Sequence, residues 1–166
     1  MGMRPQRPRL DPALSVGLRR YLFTFCTAER ICRFSDLEVV RLVLEQFLQS
    51  ATLRLSDVAI IAYCFMPDHV HLLVEGCTEG ADALAFVHQA KQRSGYAFAR
   101  RQAGRLWQPS FHDHVLREND ASLSVARYIF ENPVRGGLVV EPADYPFSGS
   151  SRFTVAQLLE VACWQP

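Results

Sequence analysis

Two histidines, His69 and His71, stand one residue apart at the start of an apolar run. Side chains in a β-strand alternate between the two faces, so both imidazoles project from the same face. Spaced about 7 Å apart along a strand, they can converge on one divalent cation. The turn-forming pair Pro67-Asp68 separates this run from an earlier apolar run, which predicts a β-hairpin. The alternative is two partly buried histidines that bind nothing.

Tyr128 and Asn132 are the second pair of candidates, four residues apart in a segment of helical character. Side chains at this spacing share a helix face, about one turn apart. The side-chain oxygen of Asn132 is a suitable third ligand for a hard cation held by two histidines. A tyrosine beside such an ion can be a nucleophile, because the metal polarises the phosphoryl group under attack. The alternatives are a packing tyrosine and an asparagine that caps a helix before Pro133.

The elements that must position these residues follow the order strand, helix, strand, strand, helix, strand. Strands are predicted at 20–27, 58–65, 69–75 and 111–117, and helices at 35–50, 81–101, 121–132 and 155–161. Asn119 or Asp120 is expected to cap the third helix, and Pro133 together with Gly136-Gly137 to end it. This order predicts an α+β, ferredoxin-like or RRM-like sandwich. It would have an antiparallel four-stranded sheet with helices on one face, plus the helix that carries Tyr128.

Length and composition predict a single domain with an ordinary core. We expect a flexible basic N-terminal arm at 1–18, the domain at 19–152 and a short C-terminal helix or tail at 153–166. The net charge of +1 gives no sign of a nucleic-acid partner, although 17 of the 18 basic residues are arginine, which suits phosphate. Five cysteines without a Cys-x-x-Cys pair favour reduced thiols and a cytoplasmic protein. No apolar stretch approaches the roughly 20 residues of a membrane span, so no membrane partner is expected.

Four segments, in the right order, resemble the REP-associated branch of the single-tyrosine HUH transposases. They are YCFMPDHVHLLV at 63–74, WQPSFHDHVLR at 107–117, YIFENPVRGGLV at 128–139 and DYPFS at 144–148. The resemblance covers roughly residues 20–151. Asp68 stands where the family often has Asn or Glu, and Gly136 where it often has Ala.

By position, the resemblance implies that His69, His71 and Asn132 bind one Mg²⁺ or Mn²⁺ ion and that Tyr128 is the nucleophile. The implied activity is that of a metal-dependent endonuclease and strand transferase for single-stranded DNA. It would form a 5′-phosphotyrosine intermediate and act on palindromic extragenic hairpins. The resemblance also implies a bacterial, nucleoid-associated protein that works as a monomer or as a homodimer.

Basic residues on the arm and on the second helix are the candidates for DNA contacts, together with two histidines of the fourth strand. These candidates are Arg4, Arg7, Arg9, Lys91, Arg93, Arg100, Arg101, His112 and His114. The alternative for the helix is an ordinary solvated face.

Two other functions compete with the transposase hypothesis. His69, His71, His112 and His114 could together form a four-nitrogen zinc site, either structural or in a hydrolase. The chain could also be a non-catalytic module that binds single-stranded nucleic acid, because ferredoxin-like sheets bind single strands through exposed aromatic residues.

Overall fold

The computed structural model describes residues 12–116 and 122–163. Five strands and four α-helices form the body of this region. The strands are β1 (Arg20–Cys26), β2 (Val58–Met66), β3 (His69–Gly76), β4 (His112–Val115) and β5 (Ser148–Gly149). The helices are α1 (Leu37–Ala51), α2 (Ala83–Ala99), α3 (Ser122–Arg135) and α4 (Val155–Cys163). All predicted strands and helices are therefore present, with ends that differ by a few residues.

The strands form one antiparallel sheet in the order β4-β1-β3-β2-β5. The first four follow the ferredoxin-like arrangement, so the predicted fold class is confirmed. The difference is the fifth strand: Tyr63 and Cys64 of β2 pair with Gly149 and Ser148 of β5. A two-residue strand is too short to give a periodic signal, which is why the sequence did not reveal it.

Helices α1 and α2 cover one side of the sheet, which we call the aromatic face. Asp36 caps α1 by accepting a hydrogen bond from the backbone N–H of Glu38. Large rings fill the space between helices and sheet, and most are completely buried. They are Tyr21, Phe23, Phe25, Phe34, Phe47, Phe65, Phe86, Phe98 and Trp107. Their mutual edge-to-face and stacked contacts make this face the main core of the described region.

The other side of the sheet carries His69 and His71, and we call it the histidine face. Helix α3 packs here on β2 and β3, and α4 packs on α3. Its core is built from small residues such as Ala62 and Cys64, with Ile129 and Phe130 contributed by α3. The expectation of helices on one face thus holds for α1 and α2, whereas α4 joins the tyrosine helix on the opposite side.

A β-bulge in β2 separates the two halves of that strand. The register with β3 shifts between Ile60 and Ala62, so that Ile61 and Ala62 both face the histidine-face core. The bulge changes which residues of β2 point to each side, as an extra residue does in any antiparallel pair. Beyond it, Cys64 lies opposite His71 and Met66 opposite His69.

Helix α3 passes through Pro133 and ends at Arg135, so the predicted end at Asn132 is three residues too early, whereas the predicted Gly136-Gly137 pair does follow the helix. Gly137 has φ of +69° and ends the helix in a left-handed turn. The N–H of Gly137 donates to the Val134 carbonyl, and the N–H of Leu138 donates to the Pro133 carbonyl. This pair of bonds satisfies the last carbonyls, as a Schellman turn does.

Residues 12–18 pack against the domain, within the segment predicted as an arm. Ser15 is buried and donates to Asp82, and the hydroxyl of Tyr21 donates to the Leu14 carbonyl. The basic residues predicted for the arm, and Asn119 and Asp120 as caps of α3, lie outside the described residues. The domain boundaries at 18 and 152 stay predictions. Among the described helices, none is long and apolar enough to cross a membrane.

Candidate metal and tyrosine site

The two histidines of β3 point at each other across the histidine face. Their Nε2 atoms are 3.2 Å apart, and their ring centroids are 4.8 Å apart. Strand alternation places both on this face, and the short turn at Pro67-Asp68 fixes the register of the hairpin. The sequence prediction that these two imidazoles converge is therefore confirmed.

Each histidine is held by a hydrogen bond at its other ring nitrogen. The Nδ1 of His69 lies 2.7 Å from Oδ1 of Asp68, and the Nδ1 of His71 lies 2.9 Å from Oγ1 of Thr24. An ionised carboxylate only accepts, so a neutral His69 donates from Nδ1 and keeps its lone pair on Nε2. When Thr24 accepts from His71 in the same way, both Nε2 lone pairs point into the space between the rings.

Arg30 completes the support of His69. Its Nε lies 2.7 Å from Oδ2 of Asp68, and its Nη1 donates to Sγ of Cys26 at 2.8 Å. Glu29 and Arg30 both have φ of 56°, in the left-handed region that residues other than glycine rarely adopt. Such residues cost about 1–3 kcal/mol each. The Arg30 contacts with Asp68 and Cys26 help to offset that cost.

His71 is the more buried of the two imidazoles, with 9% of its surface exposed. Burial, with smaller contributions from the neighbouring His69 and Arg135, lowers the pKa of His71 to about 4. His71 is therefore neutral at physiological pH. A neutral imidazole is the form that binds a metal ion.

The spacing of the two nitrogens fits a divalent cation. Two nitrogens at about 2.1 Å from one ion, with an angle of about 90–109° between them, lie about 3.0–3.4 Å apart. The observed separation of 3.2 Å falls within this range. Two lone pairs at that distance repel each other, and a cation between them would turn the repulsion into attraction.

Tyr128 lies beside this pair on α3, with its ring centroid 6.3 Å from that of His71. Its side chain is 47% exposed, although neighbouring Ile129 and Phe130 of the same helix are fully buried. The guanidinium of Arg135 stacks on the tyrosine ring, 4.3 Å from its centroid. A half-exposed side chain next to two converging imidazoles can reach a substrate, so the structure brings Tyr128 beside the histidine pair.

Asn132 follows Tyr128 by one helical turn, and its side-chain amide serves the helix. Pro133 has no N–H, so it leaves the carbonyl of Ile129 without its usual helical donor. The Nδ2 of Asn132 donates to that carbonyl at 3.3 Å and to the Tyr128 carbonyl at 3.0 Å. With the nitrogen fixed in this way, the amide oxygen is the atom that could bind a cation.

Comparisons with known proteins agree with this geometry. The family model described as "Transposase IS200 like" matches residues 15–132, well over half of the chain. The chain belongs to this transposase family. Its resemblance to the REP-associated branch is also supported by curated relatives.

Two curated relatives carry names from that branch. A Haemophilus influenzae protein, named provisionally as a REP-associated tyrosine transposase, is 30% identical over 59% of this chain and 62% of its own length. The REP-associated tyrosine transposase of Escherichia coli is 28% identical over 54% of this chain and 52% of its own. The match thus spans less than two thirds of the length of either relative.

Two solved structures share the fold. The structure of a REP-associated tyrosine transposase bound to a REP hairpin superimposes with a TM-score of 0.70, at 21% identity, over 88% of this chain and 82% of that one. A Deinococcus radiodurans protein, described provisionally as a transposase, gives a TM-score of 0.50 at 25% identity. That match covers 76% of this chain and 95% of the other.

The structure does not form the four-histidine zinc site that the sequence left open. Thr24 of β1 pairs with both His71 of β3 and His112 of β4, so β1 separates the two histidine pairs. Two strand spacings put the backbones of the two pairs about 9.5 Å apart, and the structure does not bring the four side chains into one group. Accordingly, the described residues contain no group of three or more His, Cys, Asp or Glu side chains that could hold a metal.

The predicted DNA-contact residues fall on different sides of the molecule. His112 and His114 are exposed and, by their pairing with β1, share the face of His69 and His71. Lys91 lies on the aromatic face, where its ammonium sits 5.7 Å from the ring centroid of Phe25 and 5.6 Å from that of Phe111. Helix α2 is therefore on the far side of the sheet from Tyr128.

The cationic side chains of α2 and of the two residues that follow it lie in local contacts. The ammonium of Lys91 donates to three carbonyls of the loop at 108–110, and burial lowers its pKa to about 8. Arg93 donates to Gln49, Arg100 stacks on Tyr96, and Arg101 lines a small cleft beside α1. The candidates Arg4, Arg7 and Arg9 lie outside the described residues.

Sequence reasoning missed the residues that support the site. Thr24 contacts His71, Arg135 contacts Tyr128, and Arg30 contacts Asp68, which in turn holds His69. All three come from other elements or from a later helical turn. Thr24 could have been found from cross-strand pairing, because an assumed order of strands places β1 beside β3 and Thr24 opposite His71. For Arg135, the spacing of seven residues from Tyr128 places both on one helix face.

Proposed function

We propose that this chain is a metal-dependent endonuclease and strand transferase for single-stranded DNA, with Tyr128 as its nucleophile. The observation that carries the proposal is the convergence of two imidazoles, with Nε2 atoms 3.2 Å apart, beside a half-exposed tyrosine. The substrate we propose is a palindromic DNA hairpin with a single-stranded flank. The hairpin-bound structure with the same fold and the names of the two relatives support that choice.

In this mechanism His69 and His71 are ligands through Nε2, and the amide oxygen of Asn132 is the third protein ligand. Oxygen and nitrogen donors of this kind suit Mg²⁺ or Mn²⁺. When bound, the ion would supply Lewis-acid stabilisation of the charge on the scissile phosphate. Asp68, Arg30 and Thr24 keep the two imidazoles in the required tautomer and orientation.

The reaction replaces one phosphate ester by another. The Oη of Tyr128 forms a bond to phosphorus, the bond between phosphorus and the 3′-oxygen breaks, and the phenol loses a proton while the 3′-oxygen gains one. The products are a 5′-phosphotyrosine and a free 3′-hydroxyl. Attack by another 3′-hydroxyl reverses these changes on a new strand, so strand transfer needs no external energy source. Holding the nucleophile next to the phosphate supplies much of the rate enhancement.

The decisive experiment is a search for the covalent intermediate. Labelled single-stranded hairpins from the source genome would be incubated with the protein and Mn²⁺, with Mg²⁺ or with chelator, and analysed on denaturing gels. We expect a metal-dependent adduct that Tyr128→Phe abolishes without loss of hairpin binding, because the substitution removes only the attacking oxygen.

Tyr96→Phe is the matched control. Tyr96 is a more exposed tyrosine, at 66%, on α2 and the far side of the sheet, so this variant should form the adduct at the wild-type rate. An adduct that persists in Tyr128→Phe would contradict the assignment of the nucleophile. Binding that needs no metal, with no adduct under any condition, would favour the non-catalytic binding module.

A further inference from the structure

Arg135 contacts Tyr128 through both its ring and its backbone. Its guanidinium carbon lies 4.3 Å from the ring centroid, and its Nη2 donates to the Tyr128 carbonyl at 2.6 Å. Its Nη1 lies 3.3 Å from Oε2 of Glu131. These two hydrogen-bonding contacts use two of the five N–H groups of a guanidinium. The side chain is 45% exposed, so its other N–H groups can reach a bound molecule.

The charge of Arg135 acts where the chemistry would take place. Arg135 and His71 both contact the tyrosine ring, whose centroid lies 4.3 Å from the guanidinium carbon and 6.3 Å from the centroid of the His71 ring. Arg135 is therefore near enough to influence an anion bound between His71 and the hydroxyl of Tyr128.

The helix does not need this side chain to keep its shape. The Tyr128 carbonyl also accepts from Nδ2 of Asn132, and the Gly137 turn satisfies the last carbonyls of α3. Glu131 has a second cationic partner in Arg127, whose Nε lies 2.7 Å from Oε1. The contacts of Arg135 within the helix are thus duplicated by other residues, and they do not by themselves explain its position over the nucleophile.

We propose that Arg135 is a catalytic residue that binds a non-bridging oxygen of the phosphodiester attacked by Tyr128. Its stacking on the ring also sets the direction from which the phenol oxygen approaches. The inference rests on the proposed function, since it assigns a role within the same reaction. Arginine suits this role because its planar fork of donors matches phosphate and always carries its charge. Donors aimed at developing negative charge act without reorganisation in the transition state.

The first test compares Arg135→Ala with Arg127→Ala in single-turnover cleavage of the labelled hairpin. The two arginines lie on the same helix, pair with the same glutamate and are similarly exposed, at 45% and 49%. We expect Arg135→Ala to slow adduct formation about 100-fold, the usual loss for one transition-state donor. Arg127→Ala should stay within about threefold of the wild type, as expected for an exposed ion pair. Arg135→Lys should recover about tenfold, because it restores the charge without the fork.

The second test asks whether Arg135 acts on the phosphate charge. A hairpin with a methylphosphonate at the scissile position replaces one charged oxygen by a methyl group. If Arg135 binds that oxygen, its loss matters little on the neutral substrate, and Arg135→Ala should then cost less than about fivefold. The ratio of rates on the two substrates is measured within one preparation, so it does not depend on the folded fraction.

The outcomes separate the two proposals. An Arg135→Ala rate within threefold of the Arg127→Ala rate would overturn the role of Arg135 and leave the proposed function intact. An equal loss on charged and neutral substrates would also overturn it, because it would indicate a purely structural effect. The absence of any adduct with the wild-type protein would overturn both proposals.

Discussion

The two faces of the sheet are built in opposite ways. On the aromatic face, rings such as Phe25, Phe47 and Trp107 are buried in mutual contact beneath α1 and α2. On the histidine face, small residues such as Ala62 and Cys64 lie under α3, and His112 and His114 are exposed at the β4 edge. Only Phe130 and Tyr145 are buried aromatic residues in the described part of that face.

This difference assigns most of the stability of the protein to one face and the candidate site to the other. A face filled with large rings buries the most apolar area and so supplies most of the hydrophobic free energy. The small side chains of the histidine face let α3 pack closely on β2 and β3. They also leave room for polar groups that must reach a substrate. Substitutions on the two faces should therefore have different consequences, and three measurements test that separation in addition to those proposed above.

The largest effect on stability is expected from Phe47→Ala on the aromatic face. Phe47 is fully buried and contacts Phe25, Phe65 and Trp107. Removing its ring should lower the free energy of unfolding by about 3–5 kcal/mol, measured by urea denaturation. The matched substitution on the histidine face is Cys64→Ala, which removes a single buried atom and should cost about 1 kcal/mol. An equal loss of unfolding free energy in the two variants would show that the two faces contribute equally to stability.

A smaller effect, confined to the metal site, is expected from Asp68→Ala. The substitution removes the acceptor of His69 and the partner of Arg30. Loss of such a supporting group typically weakens metal binding about 10–100-fold, which Mn²⁺ titration by calorimetry would measure. Asp36→Ala provides a comparison, because it removes a carboxylate that caps α1 on the other face. Mn²⁺ affinity should be unchanged in that variant, and an equal loss in both would contradict a local role for Asp68.

The smallest effect concerns pH and Lys91. Burial lowers the pKa of this lysine to about 8, from 10.5 in the unfolded chain. Between these values the unfolded chain binds more protons, so stability should rise with pH across this window. Because solvent screens the partly exposed ammonium, we expect a gain of about 1–2 kcal/mol relative to Lys91→Met, in urea denaturation at pH 7.5 and pH 10. A stability difference that is constant with pH would show that Lys91 keeps an ordinary pKa.

The sequence predicted the parts of the site that depend on local periodicity. Strand alternation paired His69 with His71, and helical spacing put Tyr128 and Asn132 on one face. The ferredoxin-like sheet followed from the order of elements, and the family match and shared fold agree with it. These predictions succeeded because each needed only neighbours within a few residues or one connection rule.

The errors arose where tertiary contacts decide the outcome. The third helix was expected to end at Asn132, before Pro133, but the side chain of Asn132 compensates for the missing N–H and the helix continues to Arg135. The bulge at Ile61 and the short β5 depend on pairing between distant segments. The contact of the Lys91 ammonium with the carbonyls at 108–110 is likewise one that charge patterns alone do not reveal, and the predicted DNA contact of Lys91 stays a prediction.

The pairing between β1 and β3 also links folding of the protein to formation of the site. Thr24 lies opposite His71, and Cys26 lies opposite His69. Sliding these strands by one residue would turn both imidazoles into the ring-filled core and expose Val70 and Leu72 in their place. Such a molecule would lose the contacts that keep it folded. The correct register of β1 and β3 is thus required both for the folded sheet and for the site. The concentration of active sites, measured by titration, should therefore equal the concentration of folded protein.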